Sequence, residues 1–264
     1  MMSNNDYSEP GAQPYRYWVV QDEDSKIVDG GLIEESLVTI YVNGQELVTI
    51  MCSPLDQEAL ALGFLYNESV IDSIREVRLI KANVKGTAVD VYLNRAEFEL
   101  PRRMILTSGC GGGITLQTLI DSWPALDSDM STTPAVVFRR MMDLHSAAKL
   151  YNQVRGVHTS ILGDEHELLI CAEDVGRHNT IDKIAGLALK AGITTQNCIL
   201  VSSGRISSEM LSKARRMNVT VVASRTAPTS TAVYLAEKWN ICIAGYVRRN
   251  RMQVYTHPER LGLA

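Results

Sequence analysis

Three segments of this 264-residue chain set an arginine beside serine, threonine, glycine or asparagine, just after a short apolar run. They are Glu173-Asp174-Val175-Gly176-Arg177-His178-Asn179, Ser202-Ser203-Gly204-Arg205 and Ser224-Arg225-Thr226. If each apolar run is a strand and each following segment a helix, these residues lie at the carboxyl ends of neighbouring strands. Open α/β sheets bind ligands there. Helix amino ends add free N–H groups and a positive dipole end, and arginine adds a planar fork that matches phosphate. Arg177, Arg205 and Arg225 are therefore expected to converge on one polyanion, such as a pyrophosphate, with Ser203 and Gly204 beside them. The competing reading makes them structural ion pairs with Glu173, Asp174 or Glu209. Asp174 is a candidate acceptor for the amino edge of a guanine. Asn179 also suits a helix N-cap, with Asp182 three residues on. His178 and His158 are the acid–base candidates.

The second constellation is Thr107-Ser108-Gly109-Cys110-Gly111-Gly112-Gly113. Glycines at these positions allow close approach by a ligand or another chain. A cysteine ahead of a helix amino end has its thiolate favoured, hence its nucleophilicity. The segment matches neither a Walker P-loop nor a G-x-G-x-x-G fingerprint. The other four cysteines, Cys52, Cys171, Cys198 and Cys242, have no C-x-x-C partner. Cys171, Cys198 and Cys242 lie in aliphatic runs, as expected of inert buried thiols. An odd cysteine count without zinc-ligand spacing argues against a disulfide framework and against structural zinc.

The elements that must position these groups follow from periodicity and turn residues. Ser36–Val42 and Gln45–Cys52 read as strands joined by Asn43-Gly44, a strong hairpin signal. Ser53-Pro54 reads as the start of a helix running through QEALALGFLYNES. Glu76–Ala82 and Thr87–Leu93 read as a second hairpin. A short strand at Met104–Leu106 leads into the glycine loop, and a helix follows from Ile114. Asp121–Thr133 is a surface connection, and Thr133-Pro134 opens a helix over Ala135–Tyr151. Strands at Val157–Leu162 and Glu167–Ala172 precede helix Thr180–Lys190, strand Cys198–Val201, helix Ser208–Met217, strand Val219–Ala223, helix Ser230–Trp239, and strands Ile241–Val247 and Met252–Thr256. This alternation predicts a three-layer α/β domain with a mostly parallel sheet. Residues 1–16 are read as a disordered tail, 17–133 as a smaller α+β region carrying Cys110, and 134–264 as the α/β domain.

Net charge is −4, with 45% hydrophobic and 21% charged residues. A chain with no broad basic face is not expected to bind nucleic acid. No apolar run reaches the roughly 18 residues of a membrane span, and the polar amino terminus has no signal core, so a cytoplasmic location is expected.

The strings EDVGRHNTIDKIAG, SSGRISSEM, VASRTAPTSTAV, GYVRRNRMQVYTHPERL, VNGQELVTIMCSPLDQEALALGFL, TSGCGGG and RGVHTS resemble the formate dehydrogenase accessory sulfurtransferase family (FdhD), from about Glu34 to Leu261. The resemblance implies a cytidine-deaminase-like fold in the C-terminal part and a homodimer. It implies a protein that takes sulfur from a cysteine desulfurase as a persulfide. That sulfur passes to the molybdenum cofactor, a bis(molybdopterin guanine dinucleotide), for delivery to formate dehydrogenase. The persulfide position falls on Cys110. The family's cofactor-binding turn falls on Tyr246, Val247, Arg248, Arg249, Asn250 and Arg251. With it, the expected cofactor-binding set is Asp174, Gly176, Arg177, His178, Asn179, Ser203, Gly204, Arg205, Arg225 and that turn. The family's loop usually reads C-x-x-C, and here its second position is Gly113. That departure keeps a rival alive: a non-catalytic chaperone that binds and delivers the cofactor. Zinc-dependent deamination needs an H-x-E or C-x-E string together with P-C-x-x-C; this pair is missing, so no tightly bound zinc is expected.

Overall fold

A computed structural model of the chain describes residues 10–97 and 123–263. Cys110, its glycine loop, and the strand and helix expected around it lie outside the described residues.

The first ordered element is a correction. β1 (Ala12–Gln21) pairs antiparallel with β2 (Asp24–Ile33), so a strand begins inside the stretch read as a tail. The polar average of residues 1–16 hides Tyr15 and the start of the β-favouring run Tyr15-Arg16-Tyr17-Trp18-Val19-Val20. Arg16 and Asp29 form an exposed cross-strand ion pair at 2.6 Å.

β3 (Ser36–Val42) turns into β4 (Gln45–Cys52) through Asn43-Gly44, both at positive φ (50° and 81°), as a tight two-residue hairpin requires. β5 (Val77–Ala82) and β6 (Ala88–Leu93) complete a sheet of order β4-β3-β6-β5, with β3 and β6 parallel. Burial alternates with period two: Val38, Ile40, Val42, Val89, Val91 and Leu93 all face inward. They meet α1 (Gln57–Asn67), which carries Leu60, Leu62 and Leu65. This helix starts at Gln57, not at Pro54. Ser53, expected as its N-cap, is instead fully buried in contact with the second half of the chain.

That half holds α2 (Pro134–Ala147), α3 (Lys149–Val154), β7 (His158–Gly163), β8 (Leu168–Asp174), α4 (Arg177–Ala191), β9 (Ile199–Ser202), α5 (Ser208–Arg216), β10 (Val221–Ser224), α6 (Ser230–Trp239), β11 (Cys242–Gly245) and β12 (Gln253–Thr256). The sheet order is β12-β11-β10-β9-β7-β8. Only the β9–β10 and β10–β11 pairings are parallel. The β7–β8 hairpin joins β9 antiparallel, and β12 folds back on β11. The sheet is therefore mixed rather than mostly parallel, because hairpins flank the parallel centre. Three layers do form. α2 covers one face, over Ile161, Val201 and Val221. α4, α5 and α6 cover the other, over Leu162, Leu200 and Val222.

The two halves join helix to helix. α1 is apolar nearly all round because the side turned from its own sheet is buried against α4. The approach is backbone to backbone: a Cβ on Gly63 would sit 1.7 Å from the Asp182 carbonyl oxygen, and one on Gly186 1.9 Å from that of Ala59. Only glycine fits at either crossing point. No helix among the described residues is long and apolar enough to cross a membrane.

Candidate functional site

The strands β9, β10 and β11 run in one direction, so Ser202, Ser224 and Gly245 end on one edge of the sheet. A ladder of small hydroxyls ties the following loops together. The Ser160 hydroxyl lies 2.7 Å from that of Thr180 and donates to Ser202 Oγ at 3.0 Å. Ser202 Oγ accepts the Gly204 N–H at 3.1 Å. Ser224 Oγ donates to the Gly204 carbonyl at 2.6 Å and accepts the Thr226 N–H at 3.0 Å. Arg248 Nη1 donates to the Arg225 carbonyl at 2.6 Å, binding the third loop to the second. All these hydrogen-bonding groups are spent on the scaffold, which fixes the positions of Ser203, Arg225 and Arg248.

Those three residues line a cleft of about 300 Å³. It is also lined by His145, Ala148 and Tyr151, from α2, α3 and the residue between them, and by Val157, His158 and Thr159. The titratable side chains lining it are Arg225, Arg248, His145, His158 and Tyr151, with no carboxylate among them. Among the described residues, such a lining favours an anion. His145 titrates below the ordinary 6.5, through partial burial and the nearby charges of Arg225 and Arg248. His158 is also lowered, first by burial and then by Arg177.

Arg177 stands at the first turn of α4, beside this cleft rather than on its lining. It packs on Gly204, where an added Cβ would lie 2.9 Å from Arg177 Cβ and 3.4 Å from His158 Nδ1. Its Nε is buried without a hydrogen-bond partner among the described residues. Arg205 is exposed. Among the described residues, Arg177, Arg205 and Arg225 have no carboxylate within ion-pair distance. The expected competitors are otherwise engaged. Glu173 accepts the N–H groups of Leu150 and Tyr151, and Glu209 lies near Lys213 and His178.

Asp174 is a correction. Its side chain is 0% exposed and pairs with Lys183 Nζ at 2.7 Å. It also accepts from the Ser53 N–H, the Gly176 N–H and Asn179 Nδ2 at 3.0, 2.8 and 2.8 Å. Four donors fill a carboxylate's acceptor sites, so none is left for a guanine. Asn179 is not the N-cap, a position Gly176 takes; its amide spans Asp174 and the Met51 carbonyl. His178 faces Ser207 Oγ at 3.1 Å, and burial, helped by Arg177 and Lys213, pushes its pKa down to about 3. Asp174 and Asn179 tie α4 to the end of β4 through Ser53 and Met51, and His178 ties α4 to the start of α5 through Ser207.

Of the turn Tyr246–Arg251, Arg248 reaches the cleft, Val247 is buried in the core, and Tyr246, Arg249, Asn250 and Arg251 are exposed. His145 and Tyr151 were missed as site residues because the sequence reads as one helix through this region. Six residues apart on a continuous helix they would diverge by about 120°. A break at Ala148 (φ −73°, ψ 77°) re-aims the second segment, and both then face the cleft. Nothing in Ser146-Ala147-Ala148-Lys149 signals that break.

The described cysteines are poor nucleophiles. Burial drives the thiols of Cys52, Cys171 and Cys242 up to about 12 and that of Cys198 to about 11. Cys171 is only half-buried. Cys171-Ala172-Glu173 and His257-Pro258-Glu259 do match the shorter deaminase string, yet no three ligating side chains gather among the described residues.

Comparison with known proteins agrees along most of the length. The chain is 34% identical over 250 residues to the "Sulfur carrier protein FdhD" of Staphylococcus aureus strain MRSA252, covering 92% of this chain and 94% of that one. The protein of the same name from strain Newman is 33% identical over the same shares. A crystal structure described as a formate dehydrogenase accessory protein from Desulfotalea psychrophila superposes with a TM-score of 0.80 at 25% identity, over 96% of this chain and 100% of that one. The model of the FdhD/NarQ family matches residues 33–262. With the family model matching 33–262 and a relative 34% identical over 92% of the chain, the chain belongs to the FdhD/NarQ family.

Proposed function

We propose that this protein is a sulfur carrier that loads a persulfide on Cys110 and passes the sulfur to a molybdenum cofactor held at the strand-end cleft, in support of formate dehydrogenase. The division of the cysteines supports this reading most directly: four thiols are held far from the thiolate form by burial, and the fifth is the glycine-flanked Cys110. The names of the relatives point the same way. In the loading step the Cys110 thiolate attacks the terminal sulfur of a cysteine desulfurase persulfide. The donor's S–S bond breaks, and the donor cysteine leaves as a thiolate. Delivering that sulfur as sulfide consumes two electrons. Gly113 replaces the family's second cysteine, so an external thiol or the reduced metal centre supplies them. Arg225 and Arg248 would hold the pyrophosphate of a guanine dinucleotide arm, while the Ser203 hydroxyl is engaged with Thr159 and His158. The three-layer second half supports a cytidine-deaminase-like reading of the fold. A cytoplasmic homodimer is part of the same proposal.

The test is mass spectrometry after incubation with a cysteine desulfurase and cysteine. The peptide bearing Cys110 should gain one sulfur atom, and Cys110→Ala should gain none and fail to restore formate dehydrogenase activity in cells lacking the native protein. A Cys110→Ala protein that restores full activity overturns the carrier reading in favour of the cofactor chaperone.

A further inference from the structure

The cleft has a feature that anion binding through arginine alone does not need: two imidazoles in its lining. His158 is half-buried and His145 exposed. We propose that His145 and His158 are direct contacts of the bound anion and that binding it is coupled to proton uptake on these two side chains. The inference rests on the cleft being the nucleotide site.

The ring of His158 is oriented by Ser203. Ser203 Oγ accepts the Thr159 N–H at 3.0 Å and lies 3.3 Å from His158 Nδ1. Nδ1 is the acceptor within reach of that hydroxyl among the described residues. With the serine donating to Nδ1, the neutral ring carries its proton on Nε2, and Nε2 is left to a ligand. A hydrogen-bonded serine thus presents an imidazole N–H donor beside Arg225.

The surroundings decide what a ligand does to these rings. His158 faces Arg177 and His178 from α4. From β8 it faces Asp174, whose charge is paired with Lys183, and Glu173, which is turned to Thr159 Oγ1 and the α3 N–H groups. His145 faces Arg225 and Arg248 from the strand-end loops and Tyr151 from α3. With no anion bound, burial first and then the positive field of the neighbouring arginines hold both rings below the ordinary 6.5. A pyrophosphate reverses that field: it neutralises the arginines and brings negative charge within reach of both rings. Each imidazolium is then favoured, so protons are taken up as the anion enters.

The experiment is calorimetry of GDP binding to the full chain at about pH 7 in buffers of different ionisation enthalpy, repeated across about pH 6 to 8. The wild-type protein should take up protons, and its affinity should rise about three- to tenfold per pH unit on acidification, as linkage requires for an uptake of roughly half to one proton. GDP's own terminal phosphate titrates near pH 6, so the reference is the His145→Gln/His158→Gln protein, in which uptake should fall to the nucleotide's share. His145→Gln alone, a change at an exposed position, guards against a folding defect in the double variant and should remove part of the uptake. If wild-type protein binds no GDP, the nucleotide-site reading falls and takes this inference with it. If GDP binds and uptake is the same in wild type and both variants, the site stands and the histidine coupling is wrong.

Discussion

Replacing Lys183 by methionine should cost this protein much of its stability. Lys183 and Asp174 are both 0% exposed and 2.7 Å apart. Lys183 also donates to the carbonyls of Glu173 and Ser53 at 3.0 and 3.4 Å. Asp174 receives three further N–H donors, from Ser53, Gly176 and Asn179. Removing one partner of a buried pair typically costs about 3–5 kcal/mol, because the other charge is left buried and unpaired. Three N–H donors would remain on Asp174, which places Lys183→Met toward the lower end, about 3 kcal/mol. Domains of this kind hold only about 5–15 kcal/mol in total, so the loss should be plain in urea unfolding followed by fluorescence of the buried Trp239. The slope against urea should stay unchanged while the midpoint falls. Asp174→Asn/Lys183→Met removes both charges and should cost at least about 1 kcal/mol less than the sum of the single changes. Two results would refute the reasoning. One is a Lys183→Met protein within about 1 kcal/mol of wild type, inside the range of an ordinary surface pair. The other is an Asp174→Asn protein of normal stability that has lost GDP binding, which would make Asp174 a ligand contact after all.

Other perturbations read out different parts of the structure. Gly186→Ala, whose methyl would lie 1.9 Å from the Ala59 carbonyl oxygen, should destabilise by about 3 kcal/mol or more, beyond ordinary overpacking; a melting temperature equal to wild type would show that α1 and α4 can separate freely. Arg225→Ala and Arg248→Ala, each removing a charged donor from the cleft, should weaken GDP binding roughly tenfold or more, while Arg205→Ala should change it far less; equal effects at all three would place the anion elsewhere. Glu68 has its pKa raised to about 7, chiefly by burial and further by Asp182 and Glu209. The folded state therefore holds a proton that the unfolded chain releases near 4.5. Its contribution is fully present below that value and is lost as pH rises through 7. Glu68→Gln should flatten stability between about pH 5 and 8 relative to wild type, and an unchanged pH profile in the variant would exclude Glu68 as the source.

Local rules were enough where one residue pair or one period dictates structure. Asn43-Gly44 placed both strands of the β3–β4 hairpin to the residue, and Ser230–Trp239 is a helix over the span its pattern predicts. They failed where a distant partner takes a residue over. Ser53 has the chemistry of an N-cap and precedes a proline, yet its carbonyl, N–H and hydroxyl all meet groups more than a hundred positions away. Direction in the second sheet was misread for a related reason. Alternating helices and strands do give parallel pairs at β9, β10 and β11, but β7 joins this centre from a hairpin, and a hairpin strand takes its direction from its neighbour rather than from a crossover.

The candidate site shows the same division at higher cost. Strand-end reasoning names a region, because the N–H groups and dipoles there exist whatever the side chains are. It does not say which side chains face the ligand. Asp174 and Arg177 stand three positions apart at one strand end, and burial separates them completely. The carboxylate closes on Lys183 in the interior, while the guanidinium stays beside the cleft with a buried Nε that has no partner among the described residues. Charge explains the split. A carboxylate turned into the cleft would oppose the anion proposed to bind at Arg225 and Arg248, whereas Lys183 on the neighbouring helix cancels it in the core. The carboxylate of Asp174 is thus spent on joining the two halves of the protein, through Ser53 and Asn179, and among the described residues no carboxylate lines the cleft. A strand end that had to satisfy folding alone would more economically have paired its own arginine with its own aspartate. Here the two are kept apart, and the arginines left without carboxylates are the part of the site that folding does not explain.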